Sequence, residues 1–242
     1  MQAQLPALFL IAIAAITFLA YKKKQYKKGA YYQITKNPYS AVKCDKGKYG
    51  EFLTYQSLLH FENKGGRFLF NILIPKGNGQ TTEIDVLLIC AKGLFVFECK
   101  NYSGWIFGNE AHKNWTQTLP KGWGGDSHKE RFYNPVMQNA SHIKHLNSLL
   151  GLNVSMHSII VFSDRCTLKD ITIKSGEVRV IKNYDVASVV GQICSQIQAG
   201  IFTELEINNI YNKLFPYTQL GSEMKELHIK NVKTLISGID VS

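Results

Sequence analysis

The chain lacks any C-x-x-C pair: its five cysteines, Cys44, Cys90, Cys99, Cys166 and Cys194, are an odd number at irregular spacing. That argues against a zinc ribbon, a dithiol redox motif or a disulfide scaffold, and predicts reduced thiols, buried where they fall in apolar segments. The pair His142-x-x-His145 has no third ligand at motif spacing and reads as a helix-surface feature. Internal repeats and low-complexity tracts are also missing. So is any positive charge ahead of the one long apolar run, Leu5 to Tyr21, although Lys22, Lys23, Lys24, Lys27 and Lys28 follow it directly. A secretory signal needs the opposite order. As a helix the run spans about 25 Å at about 1.5 Å per residue, which predicts a single transmembrane pass. The lysines after it would place the N-terminus outside and the remainder in the cytoplasm.

The body of the chain carries little of the excess basic charge. The net charge is +10 over 242 residues, but residues 1–48 hold nine lysines against the single Asp45. The other 194 residues therefore carry only +2, and the sequence charge alone does not announce a nucleic-acid partner. Domain organisation follows: an anchor over 1–21, a basic juxtamembrane linker with little structure over 22–46, a globular core over 47–165, and a C-terminal strand and helices over 166–242. At 45% hydrophobic content the chain can bury one sizeable α/β core.

What is present is a hairpin with charges inside it. Thr82 to Cys90 is β-branched and apolar, Ala91 to Gly93 gives a turn signal, and Leu94 to Cys99 is apolar again. With Lys92-Gly93 as a two-residue loop, Leu87 faces Glu98 and Asp85 faces Lys100, so that Asp85, Glu98 and Lys100 share one face. A three-residue loop without a bulge would move Asp85 to the other face. Two carboxylates and a lysine in a buried hairpin need partners. Their hard oxygens suit Mg²⁺, which would act as Lewis acid and source of hydroxide, with the lysine stabilising charge on a phosphate. A buried ion pair serving only the fold has the same spacing.

Around the hairpin, Lys48 to Glu62 has helical pattern with Phe52, Tyr55, Leu58 and Leu59 on its core face, and Glu51 shares part of it. Leu119 to Tyr133 reads as a loop of glycines with basic and aromatic residues, suited to a phosphate backbone and a stacked base. Asn134-Pro135 opens a helix whose stripe is Val136, Ala140, Ile143, Leu146 and Leu150. Gln138 and His142 lie one turn apart beside it. Thr203-x-x-Glu206 is a capping box, and 218–236 reads as a final amphipathic helix.

The blocks Gly47-x-x-Gly50-Glu51, Thr82-Glu83-Ile84-Asp85, Gly93 to Tyr102 (Gly-Leu-Phe-Val-Phe-Glu-Cys-Lys-Asn-Tyr), Gly104-Trp-Ile-Phe-Gly108 and Asn134-Pro135-x-x-Gln138-Asn139 resemble the nuclease-related domain family over roughly residues 47–165. That family is similar in turn to the PD-(D/E)xK nucleases. The resemblance implies an α/β, restriction-endonuclease-like mixed central sheet flanked by helices. It implies Asp85, Glu98 and Glu51 as ligands of Mg²⁺ or Mn²⁺, Lys100 as the catalytic lysine, and Gln138 as a glutamine found in some of those nucleases. The function expected is a membrane-anchored, cytoplasm-facing nuclease acting on DNA. The alternative is a non-catalytic nucleic-acid-binding or tethering module at the membrane.

Overall fold

The computed structural model describes residues 4–77, 80–120, 127–151 and 156–220, with 226 and 228 besides; of residues 4–8 only the backbone is described. Residues 78–79, the glycine-rich part of the expected loop at 121–126 and most of the expected last helix at 218–236 lie outside those residues. Eight α-helices are described: α1 Gln4–Lys28, α2 Ala30–Thr35, α3 Tyr39–Cys44, α4 Lys46–Ser57, α5 Leu59–Glu62, α6 Pro135–Leu150, α7 Val186–Gln196 and α8 Glu204–Leu214. Nine strands accompany them: β1 Arg67–Pro75, β2 Thr81–Cys90, β3 Gly93–Lys100, β4 Gly104–Asn109, β5 Asn114–Pro120, β6 Ser127–Tyr133, β7 Met156–Phe162, β8 Cys166–Thr172 and β9 Val178–Lys182.

Two mixed sheets result, where the resemblance implied one. The larger runs β1-β2-β3-β7-β9, its first three strands antiparallel and β3, β7 and β9 parallel. The smaller runs β6-β5-β4-β8. Strands β2 and β3 are apolar on both faces because α4 packs on one side of them and α6 on the other, while the smaller sheet meets the neighbouring β7. Ile160 and Phe162 of β7 pack with Ile106, Trp115, Val136 and Cys166 in a second core. The Gly-Trp-Ile-Phe-Gly block acquires a physical reason here. Gly104 has φ +76, and a Cβ at Gly108 would fall inside the Trp115 indole. Gly108→Ala is therefore expected to cost about 1–3 kcal/mol or more through overpacking, measured by urea unfolding; an unchanged midpoint would mean that the indole moves freely.

The expected transmembrane helix is not upheld. Among the described residues no helix is long and apolar enough to cross a membrane. Lysines follow the apolar stretch of α1 at once, and the far end of the helix is held in the core through Tyr26. With the span goes the expected single-pass topology. The stretch expected to be a linker is helical, and it is part of the core: Tyr26, Tyr31, Ile34 and Val42 are buried with Phe52, Tyr55 and Phe70. Tyr31 meets the Phe70 ring edge-on at 4.8 Å between centroids.

Candidate active site

The hairpin turn is Ala91–Lys92, one residue earlier than expected. Cys90 pairs with Gly93, whose φ of +125 lets it start β3 directly after the turn. The register is therefore displaced by two residues, which preserves the faces. Backbone pairing of β2 with β3 runs only as far as Val86↔Phe97. At the next rung, where Asp85 and Glu98 stand opposite each other, the Asp85 carboxylate takes over as acceptor, its Oδ2 receiving the Cys99 N–H at 2.8 Å. The strands part there, and the acids sit in the gap.

Helices close on this gap from both faces of the sheet. Adjacent residues of a strand point to opposite faces, and Cys99 meets Thr54 of α4 at 3.4 Å while Glu98 meets His142 of α6. The Glu98 carboxylate is almost wholly buried and doubly engaged: Oε1 lies 2.6 Å from Lys100 Nζ, and Oε2 accepts from His142 Nε2 at 3.1 Å. Lys100 Nζ also donates to Gln138 Oε1 at 3.1 Å. Glu98, Lys100, Gln138 and His142 are thus one connected group, and Asp85 lies beside it. Glu51 approaches from α4, where Asp45 caps the helix by accepting the Lys48 N–H. Its Oε2 accepts from the Tyr31 hydroxyl at 3.0 Å and from Asn71 Nδ2 at 3.1 Å.

His142 is the site residue that the sequence analysis placed on a helix surface. The buried side of α6 comprises Pro135, Val136, Asn139, His142, Leu146 and Leu150, while Ala140 of the expected stripe is exposed. Two asparagines set that rotation. Asn134 caps α6 and binds the carbonyls of Asn109, Glu110 and His112. Asn139 Nδ2 donates to the Val96 carbonyl at 3.0 Å and to Ser158 Oγ at 2.9 Å. His142 Nδ1 meets Thr82 Oγ1 at 2.6 Å. A carboxylate only accepts, so in the neutral imidazole Nε2–H donates to Glu98 and Nδ1 accepts the threonine O–H. Thr82→Val leaves that nitrogen unpaired in the interior and is expected to cost about 1–2 kcal/mol. Thermal unfolding checks this, and a variant as stable as the parent removes Thr82 from the network.

The electrostatics are those of acids crowded without enough positive charge. Burial raises the Asp85 carboxyl well above the ordinary range, and the neighbouring Glu98 and Glu51 add to the rise. Burial likewise pushes Glu51 up to about 8, against the hydrogen bond from Tyr31. Glu98 goes the other way: burial works against its charge, but Lys100 and His142 hold its pKa below the usual value. Burial opposes the Lys100 charge as well, and the adjacent Glu98 overrides it, so its pKa lies above that of a free lysine.

Among the described residues no three His, Cys, Asp or Glu side chains form a group that could hold a metal ion. The paired carboxylates still suit a hard divalent cation, since Mg²⁺ keeps several waters and takes one or two carboxylates. The raised pKa of Asp85 marks where positive charge is wanting.

The sequence profile of the nuclease-related domain matches residues 46–163, a range that contains Glu51, Asp85, Glu98, Lys100, Gln138 and His142. An uncharacterized protein of Bacillus anthracis is 31% identical over 186 residues, which cover 76% of this chain and 82% of that protein. No solved structure matches the chain significantly. On that profile and that relative, the chain belongs to the nuclease-related domain family.

Proposed function

We propose that this chain is a metal-dependent nuclease that hydrolyses phosphodiester bonds of nucleic acid, with DNA as the expected polymer. The observation that carries the proposal is the placement of Asp85 and Glu98 just beyond the last paired rung of β2 and β3, with Lys100 Nζ 2.6 Å from the Glu98 carboxylate. Asp85 and Glu98 would hold Mg²⁺ or Mn²⁺, and Glu51 would add its charge from α4. When bound, the ion would polarise the scissile phosphate and make a coordinated water more acidic. Lys100 stays protonated at neutral pH because Glu98 favours its charge, so its part is electrostatic: it meets negative charge as that builds up on the phosphate. Gln138 accepts from Lys100 and keeps its own amide N–H groups for a phosphate oxygen or the attacking water. His142 fixes the Glu98 carboxylate from the other side.

The test is incubation of the full chain with circular and linear, single- and double-stranded DNA and RNA, in Mg²⁺, Mn²⁺ or EDTA. Cutting that requires the ion supports the assignment and names the polymer. Binding of nucleic acid without cutting in any ion would move the assignment to a tethering module.

A further inference from the structure

Asn71 lies in the middle of β1 and has φ +52, in the left-handed region, although the strand is regularly paired on both sides at Phe70↔Val86 and Ile72↔Ile84. Of the non-glycine residues described, only Lys36, at the end of α2, shares such a φ. Asparagine enters this region more readily than most side chains, but a strand interior gives no reason for it. Strain of this kind persists where the surroundings enforce it and clusters at working sites. By the register of β1 with β2, Asn71 stands opposite Asp85, and Asp85 stands opposite Glu98. One polar rung therefore crosses the first three strands of the larger sheet, with apolar residues on either side of it in each strand.

The Asn71 amide is used in only one direction. Nδ2 donates to Glu51 Oε2 at 3.1 Å, whereas Oδ1 is buried with no hydrogen-bond partner among the described residues. The second donor to Glu51 is shared: the Tyr31 hydroxyl has a single hydrogen and lies within reach of both Glu51 Oε2, at 3.0 Å, and the Lys48 carbonyl, at 3.1 Å. Asn71 is thus the donor to Glu51 that no other acceptor claims. Both donors converge on one carboxylate oxygen.

We propose that Asn71 is a positioning residue of the site, whose amide holds Glu51 by Oε2 and so keeps its negative charge beside the pair of acids, Asp85 and Glu98, that would hold the cation. The left-handed backbone is what brings the amide to Glu51 from the rung of the other two acids. This inference rests on the nuclease assignment.

Mn²⁺ binding to the full chain, followed by electron paramagnetic resonance of the free ion, tests it without reference to activity. Asn71→Gly removes the amide while keeping a residue that accepts φ +52 without strain. Its melting temperature is expected to hold or rise, and its Mn²⁺ affinity to fall about tenfold, the change that displacing one nearby carboxylate charge would give. Should the glycine variant fail to fold, Asn71→Ala is read in the same way. Mn²⁺ affinity equal to that of the parent overturns the proposal. Asp85→Asn separates the two levels: if it loses Mn²⁺ while Asn71→Gly retains it, the positioning role alone falls. If Asp85→Asn also retains Mn²⁺, the site assignment falls and the role of Asn71 with it.

Discussion

Asp85→Asn is expected to reduce ion-dependent cleavage on the order of a thousandfold or more, the scale on which removal of a group that meets reaction charge is felt. The same substitution is expected to raise the melting temperature of the metal-free protein. The amide retains an oxygen to accept the Cys99 N–H, while the charge that burial, Glu98 and Glu51 all disfavour is gone. Relief of about 1–2 kcal/mol corresponds to a few degrees for a chain of this size. Opposite signs for activity and stability distinguish a working acid from a structural one: an acid serving only an ion pair would lose stability when neutralised. A variant that cuts like the parent, or melts well below it, would remove Asp85 from the proposed role.

Without divalent ions, stability is expected to fall as pH rises from about 5 to about 8. Asp85 and Glu51 have folded-state pKa values raised above those of the unfolded chain. Between the unfolded value near 4 and the folded value, which is about 8 for Glu51, the native state binds more protons. Stability then declines with pH across that window. Glu98 has the opposite sign, its lowered pKa contributing stability that is lost only as pH falls below the ordinary carboxylate range. Mn²⁺ favours the ionised acids and should stabilise more at pH 8 than at pH 5.5; at pH 8 its whole effect is about 2.7 kcal/mol at a hundred times its dissociation constant. Differential scanning at both pH values, with Mn²⁺ or EDTA, measures this. Stability that rises with pH across the window in EDTA, or an equal Mn²⁺ effect at both pH values, would contradict the crowding of the acids.

The hairpin and the face shared by Asp85, Glu98 and Lys100 were legible in the sequence because period-two alternation survives an error of two residues in register. The turn itself was not, since Lys92-Gly93 and Ala91–Lys92 are equally plausible loops until Gly93 is seen pairing with Cys90. His142 left no signal that could single it out. Its place beside Glu98 follows from the rotation of α6, which the amides of Asn134 and Asn139 set against carbonyls far away in sequence. Apolar periodicity pointed to Ala140 instead, because it does not count buried amides as core. In residues 22–46 the lysines dominated the composition and concealed Tyr26, Tyr31, Ile34 and Val42, whose burial depends on what packs against them. The apolar run near the N-terminus was legible as apolar, but among the described residues no helix is long and apolar enough to make it a span.

The placement of Tyr31 has a bearing on where the folding unit begins. Its ring is enclosed by Phe52 and Phe70 and its hydroxyl reaches Glu51, yet it lies outside residues 46–163, over which likeness to the family is recognised. A fragment cut at that border would keep all the acids and the lysine while opening the aromatic wall behind them. The span recognised as the family domain and the span that encloses its acids therefore have different edges here, and the second edge lies further toward the N-terminus.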